Sequence, residues 1–210
     1  MKKALIVLLL AAITPELFSQ APPQAQIGSS KRAQSYYFFS RARLLEEQGQ
    51  WNQAIDEYKK ALGVDPNNSE IYSEIANTYW RHNRVRDAVE NAEKAVQFDK
   101  DNIDAHKLLS TVYTNMVGAA GSPAAAAESV SKAIQEFEEI VRIDPTERQS
   151  FLMLGRLYQL QNQPAKAEEV YKRFLGREPG SEDGILALAE LHLDSNDPQG
   201  AIAQIGRAHV

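Results

Sequence analysis

Apolar residues recur at helical spacing between residues 49 and 69. Ala54, Tyr58 and Ala61 lie four and three residues apart, which places them on one face of an amphipathic helix. Pro66 follows, and proline cannot continue a helix because it lacks the backbone N–H. The pattern therefore predicts a helix that buries its small and aromatic residues and ends just before the proline.

The same arrangement returns four times along the chain. A small residue holds the equivalent place in each copy, and the intervals between copies are 34, 45, 34 and 34 residues. These small residues are Ala54, Ala88, Ala133, Ala167 and Ala201. Each copy also contains a second amphipathic segment upstream of this alanine. The chain is thus predicted to consist of about five helix-turn-helix units and no strands.

A fixed period of 34 residues made of two helices resembles the tetratricopeptide repeat family, from about residue 35 to the end of the chain. The resemblance implies an all-α, right-handed superhelical solenoid. The units are predicted at residues 35–68, 69–102, 103–147, 148–181 and 182–204, and the last of them is shortened.

The third unit differs from the others because its interval is 11 residues longer, 45 against 34. The extra residues lie within about residues 115–129. Ser122 followed by Pro123 is typical of a helix start, and the alanine run after it favours helix. We therefore expect an elongated hairpin with both helices extended. The alternative is a surface insertion that has no role.

The first nineteen residues have the layout of a secretory signal peptide. Lys2 and Lys3 precede a ten-residue apolar run, residues 4–13, which is shorter than the roughly 20 residues that span a bilayer. We expect cleavage after Ser19 in preference to Ala21. We also expect export to the periplasm or secretion from the cell, with a bacterium as the source organism. An uncleaved membrane anchor is the alternative. Residues 20–34 are predicted to be a flexible spacer.

The last six residues, IGRAHV at positions 205–210, resemble one reading frame of a common sequencing adapter. We expect them to be an artefact and the natural protein to continue beyond about Gln204. A genuine C-terminus is the alternative.

Composition and motifs argue against several classes of function. The net charge is −5 without a basic stripe, so a nucleic-acid partner is not expected, and no cysteine is present. No histidine pair has the spacing of metal ligands, and no glycine-rich phosphate loop follows a strand. We therefore expect no enzyme activity, no cofactor and no metal within these residues.

The resemblance implies a concave groove lined by the first helix of each unit, where family members hold peptides. Eight side chains are predicted to bind a peptide there: Tyr36, Arg43, Asn77, Trp80, Arg81, Lys107, Thr111 and Arg156. Some relatives clamp a C-terminal carboxylate with Lys, Asn and Arg residues. Asn77 and Lys107 fall at such places, but the complete set is absent, so a clamp of that kind is not supported.

Trp80 is the candidate with the most specific prediction. Tyr79 beside it already fills the packing position of the helix, so packing does not require a second aromatic residue there. We expect Asn77, Arg81 and Lys107 to project near Trp80 and to provide hydrogen bonds around an aromatic anchor. The alternative is that Trp80 packs against its own unit and that Arg81 is a solvated charge.

The chain is thus predicted to be a non-catalytic scaffold that binds a protein or peptide segment. The alternative function is a substrate-presenting part of a larger enzyme whose catalytic domain lies beyond residue 204. A membrane would be a partner only through an uncleaved N-terminal segment.

Overall fold

The computed structural model describes residues 31–207, of which 82% are helical and none lies in a strand. The predicted signal peptide, most of the predicted spacer and residues 208–210 lie outside this range. Ten helices follow one another along the described chain: α1 (Lys31–Glu47), α2 (Trp51–Val64), α3 (Ser69–Arg81), α4 (Val85–Phe98), α5 (Ile103–Ala119), α6 (Pro123–Ile143), α7 (Arg148–Leu160), α8 (Pro164–Arg177), α9 (Glu182–Asp194) and α10 (Pro198–Arg207).

These helices form five antiparallel hairpins that stack into a right-handed superhelical solenoid, as predicted. Two boundaries differ from expectation. The spacer predicted at residues 20–34 overlaps α1, which begins at Lys31 because residues 31–34 carry no proline or glycine to oppose a helix. Helix α10 continues to Arg207 and so includes three of the six residues attributed to an adapter.

Burial of the recurring alanines holds the hairpins together. The alanine of each of the first four units is completely buried, and that of the fifth is 2% exposed. A methyl group at this place lets the facing helix approach closely, so a large neighbour such as Tyr58 or Tyr171 can fill the remaining space. The alternation of small and large residues read from the sequence is therefore a packing pattern.

The turn between the two helices of a unit needs a residue in the left-handed backbone region. Gly49 has φ 74°, and asparagines occupy the equivalent place in units two, four and five with φ between 57° and 58°. They are Asn83, Asn162 and Asn196. Glycine and asparagine tolerate this conformation better than other residues do. These asparagines were not singled out as turn residues in the sequence analysis.

The predicted elongated hairpin of the third unit is confirmed. Helix α5 has 17 residues where the first helices α3, α7 and α9 have 13, and α6 has 21 where α2, α4 and α8 have 14. The additions of four and seven residues account for all 11. They lengthen the two helices by roughly 6 and 10 Å. Ser122 caps α6 by accepting a hydrogen bond from the Ala125 N–H at 3.2 Å.

The stacking places the first helices on the inner side of the superhelix. Helix α3 contacts α5, and α7 contacts α9, whereas each second helix packs against the first helix of its own unit and, across the junction, against the first helix of the next unit. The inner surface is therefore built from α1, α3, α5, α7 and α9. None of the helices within residues 31–207 is both long and apolar enough to cross a membrane.

Candidate functional site

All eight predicted site residues lie on first helices, as the register required. Tyr36 and Arg43 are on α1, three follow on α3, Lys107 and Thr111 are on α5, and Arg156 is on α7. The structure does not gather them into one site. Arg43 and Arg81 lie in an ionic network, Lys107 and Thr111 line a central cavity, and Arg156 lies in a more apolar C-terminal part. Tyr36 borders a separate cavity, and Asn77 and Trp80 lie on α3.

An ionic network joins α1 to α3 at the N-terminal part of the inner face. Arg43 pairs with Glu74 at 2.6 Å, and Arg81 pairs with Glu46 at 2.6 Å. Thr78, which is completely buried, also donates a hydrogen bond to Glu46. Burial raises the pKa of Glu74, while Arg43 acts in the opposite direction. Arg43 and Arg81 thus have carboxylate partners within the array that a ligand would have to replace.

The two cations that were expected beside Trp80 each form an ion pair with a carboxylate on another helix or turn, and their expected role around Trp80 stays a prediction. Arg81 pairs with Glu46 on α1 at 2.6 Å, and Lys107 pairs with Glu147 at 2.9 Å, as opposite charges at such distances attract each other. Trp80 is half-buried and packs against the main hydrophobic core, so it contributes to packing and keeps part of its surface open.

Asn77 offers an amide that nothing in the described chain uses. Its side chain is half-buried, one turn before Arg81 on α3, and makes no hydrogen bond within residues 31–207. An amide in this state can donate to and accept from the backbone of an incoming segment. Asn77 therefore remains a candidate for ligand recognition.

A cavity of about 370 Å³ lies between α5 and α7, at the centre of the array. Two of the predicted site residues, Lys107 and Thr111, contribute to the lining of this cavity. The other lining residues are Ser110, Thr114, Asn115, Phe137, Ile140, Glu147, Gln149, Ser150 and Met153. The Lys107–Glu147 ion pair lies in this lining and links α5 to the start of α7.

Glu147 occupies the N-cap position of α7, and it departs from the equivalent residue of the other units. Asn68, Asn102 and Ser181 each accept a hydrogen bond from a backbone N–H of the following helix, at 3.1, 2.9 and 3.3 Å. The Glu147 side chain makes no such bond and pairs with Lys107 instead. Sequence reasoning missed Glu147, although alignment of the four junctions would have shown a glutamate where the others have Asn or Ser.

The C-terminal part of the inner face is more apolar. Leu186 and Leu193 are 53% and 56% exposed and hold the places that Lys107 and Trp80 have in earlier units. Leu160, at the end of α7, is 68% exposed. Arg156 is exposed one turn before Leu160 and makes no ion pair or hydrogen bond in the described part of the chain. It is the one predicted arginine that is left available to a ligand there.

Tyr36 lies apart from these residues, near the start of α1. It is 70% exposed and borders a separate cavity of about 710 Å³ between α1 and the turn that precedes α3. A ligand in the central cavity would not contact it unless the ligand followed the whole inner face.

The histidine of the third unit, His106, has a structural role. His106 is 3% exposed, and its Nδ1 lies 2.6 Å from a Glu136 carboxylate oxygen while its Nε2 lies 3.0 Å from the Lys100 carbonyl oxygen. Burial alone would lower the pKa of His106, but these hydrogen bonds outweigh it and raise the pKa. In the described range, no three His, Asp or Glu side chains are placed to hold a metal ion.

The stacked hairpins and the open inner face define a helical-repeat protein of the kind that serves as an interaction scaffold. Family models described as "TPR repeat" and "Tetratricopeptide repeat" match residues 42–83 and 148–191. The two matched segments are tetratricopeptide repeats, and the array has the fold of tetratricopeptide repeat solenoids.

Several known proteins resemble this array. The human "Protein O-mannosyl-transferase TMTC3" is 23% identical over 162 residues, which are 75% of this chain and 18% of that protein. Mouse "Sperm-associated antigen 1" is 32% identical over 77 residues, or 37% and 8% of the two chains. The "Small glutamine-rich tetratricopeptide repeat-containing protein 2" of Mycosarcoma maydis is 35% identical over 66 residues, or 31% and 19%. The matched segments thus cover less than a fifth of each relative's length.

Solved structures share the fold. The crystal structure of MamA has a TM-score of 0.63 and 20% identity, covering 83% of this chain and 90% of that one. YrrB, described as a TPR protein with an unusual peptide-binding site, has a TM-score of 0.61 and 18% identity, covering 81% and 82%. At this identity the likeness establishes the architecture only.

Proposed function

We propose that the protein is a non-catalytic scaffold that binds an extended protein segment along its inner face. The observation that carries this proposal is that the first helices present exposed leucines and also polar groups that have no partner in residues 31–207. Leu186 and Leu193 provide apolar contact area, while Asn77 and Arg156 provide hydrogen-bond donors. Apolar anchors flanked by free donors suit a peptide, whose backbone needs hydrogen bonds once it leaves water.

The scaffold is pre-organised for such binding. The N-terminal ionic network fixes α1 against α3, so a partner meets a surface that is already ordered. Less conformational entropy is then lost on association. YrrB, which shares the fold, is described as having a peptide-binding site, and this supports the same use of the array here.

A second candidate function is the presentation of substrates within a larger enzyme. It is favoured by one observation, that a relative covering 75% of this chain bears the name of an O-mannosyl-transferase. In both candidates the inner face binds a polypeptide, so the experiment below tests their shared step. A product formed from the bound polypeptide would support the second candidate.

The experiment is selection of binding peptides from a random library displayed on phage, with the full-length protein as bait. Arg156→Ala and Asn77→Ala should weaken the selected peptides by about 1–3 kcal/mol, roughly 5- to 150-fold in Kd. Lys94→Ala is the matched control, because Lys94 is a half-exposed cation on the second helix α4. If no peptide is selected, or if the control weakens binding as much as the two inner-face variants, the proposal fails.

We also propose that the protein is exported. Support comes from the two lysines and the short apolar run at residues 2–13. Expression in a bacterial host followed by N-terminal sequencing should yield a chain that begins near Gln20. A cytoplasmic chain that begins at Met1 would contradict this proposal.

A further inference from the structure

The central cavity is an open depression in the inner face, lined by residues of α5, α6 and α7. Its volume of about 370 Å³ lies at the low end of the range for small-molecule sites, roughly 300–1,000 Å³. A recess of this size has room for one side chain with its adjoining backbone. Phe137, Ile140 and Met153 supply apolar atoms to its wall.

Three of the four hydroxyl groups in the wall, those on α5, donate hydrogen bonds within their own helix, and the fourth, Ser150 on α7, makes none within residues 31–207. Ser110 and Thr111 donate to the Lys107 carbonyl at 2.9 and 2.8 Å, and Thr114 donates to the Ser110 carbonyl at 2.7 Å. A polar side chain entering the recess would lose its bonds to water without gaining these donors. The α5 side of the wall is therefore more apolar in effect than its residue types suggest.

The two charges in the lining neutralise each other. Lys107 and Glu147 are 2.9 Å apart and are the only ionisable residues in the described lining of the cavity. A basic side chain would meet Lys107, and an acidic one would meet Glu147. An uncharged side chain suffers neither repulsion, so the charge arrangement favours a neutral occupant.

The rim of the cavity carries groups that can form hydrogen bonds with the backbone of such an occupant. The amides of Asn115 and Gln149 border the cavity from opposite helices and make no hydrogen bonds within residues 31–207. Each can donate and accept, which matches the alternating C=O and N–H groups of an extended chain.

We propose that the cavity between α5 and α7 is a specificity pocket that takes one uncharged aliphatic side chain of the bound segment, with the Lys107–Glu147 pair excluding charged side chains. This inference rests on the proposed function for its biological ligand. The pocket chemistry itself can be tested without knowledge of any partner.

The test uses capped amino acids as minimal probes, with the full-length protein carrying ¹³C-methyl methionine. Met153 reports on the cavity, and Met116, 44% exposed on the extension of α5 and outside the cavity lining, is the internal control. N-acetyl-leucine-N-methylamide has about 13 non-hydrogen atoms, and typical ligand efficiency then gives a Kd of about 1 mM. We expect it to shift the Met153 signal and not the Met116 signal.

Charged probes should bind at least about tenfold more weakly, because like-charge contacts at this pair are unfavourable. The matched probes are the capped derivatives of aspartate and lysine. Equal shifts by all three probes, or no shift of Met153 by the leucine probe, would overturn the pocket assignment. Either result would leave the peptide selection described above unaffected, so failure of the pocket and failure of the proposed function are distinguishable.

Two variants sharpen the test. Thr111→Phe should fill the cavity and abolish the leucine-dependent shift, whereas Gln135→Phe, on the exposed face of α6, should not. Glu147→Ser removes the carboxylate and leaves Lys107 unpaired, so the capped aspartate should gain about tenfold in affinity. Circular dichroism verifies that each variant is folded. Unchanged preference for leucine over aspartate in Glu147→Ser would show that the ion pair does not set specificity.

Discussion

Asn102 should be the most costly of the N-cap residues to remove. Its side-chain oxygen accepts hydrogen bonds from the Ala105 N–H and from the Ser73 hydroxyl, both at 2.9 Å, and its amide donates to the Ser69 hydroxyl at 3.2 Å. The first bond caps α5, and the other two join α3 to the turn that precedes α5. Asn102→Ala therefore removes a cap and an inter-unit connection together.

The magnitude follows from these contacts. Loss of a cap costs about 1 kcal/mol. The Ser73 side chain is 4% exposed and loses its partner, which adds about 1–3 kcal/mol. The total for Asn102→Ala is about 2–4 kcal/mol, against about 1 kcal/mol for Ser181→Ala, whose hydroxyl accepts only the capping bond from Gly184.

Thermal unfolding followed by circular dichroism measures the difference. At about 2–4 °C per kcal/mol for a chain of this size, Asn102→Ala should lower Tm by about 4–16 °C and Ser181→Ala by about 2–4 °C. Asn102→Ser is a useful intermediate, because serine can keep the cap but is too short to reach across to α3. Equal losses for the two alanine variants would refute the claim that Asn102 couples neighbouring units.

Three further predictions concern buried and strained positions. The raised pKa of His106 means that its stabilising contribution is complete below the unfolded value of about 6.5 and is lost as the pH rises through the higher folded value. Tm should therefore fall as the pH rises above about 6.5, and it should fall less in Glu136→Gln. Gly155→Ala would place a Cβ 2.2 Å from the buried Tyr171 ring and should destabilise the array by about 1–3 kcal/mol in urea unfolding, despite the better helix propensity of alanine. Asn83→Ala should cost about 1–2 kcal/mol in the same assay because of its left-handed backbone, whereas Asn83→Gly should be close to neutral.

The fold was predictable because its determinants are local and repeated. Alanines such as Ala54 and Ala88 recur along the sequence with the period of the repeat. The spacing is regular because each of these alanines is buried at the same helix interface of its unit. The start of the second helix in the longer third unit could also be predicted, because Ser122 and Pro123 favour a helix start in any surroundings. The asparagines in left-handed turns were missed because asparagine, unlike glycine, is also common in ordinary loops.

The site was less predictable because side-chain direction depends on distant partners. The register placed Arg81 and Lys107 on the inner face, but Arg81 turns towards Glu46, 35 residues earlier, and Lys107 turns towards Glu147, 40 residues later. A repeat pattern shows which face a residue occupies, yet it does not show which of several carboxylates on that face will be nearest. The central cavity depends on such pairings and was not predicted.

The energetics of the Glu147 position support the proposed use of the central cavity by a ligand. A capping residue there would contribute about 1 kcal/mol, as Asn68 and Ser181 do at equivalent junctions. The Lys107–Glu147 pair replaces that contribution, but its side chains are 43% and 27% exposed, and solvent-screened pairs of this kind contribute about 0.2–1 kcal/mol. The exchange gives no gain in stability. Departures of this kind from a local rule are expected where a residue has a function, and here the residue in question lines the cavity at the centre of the inner face.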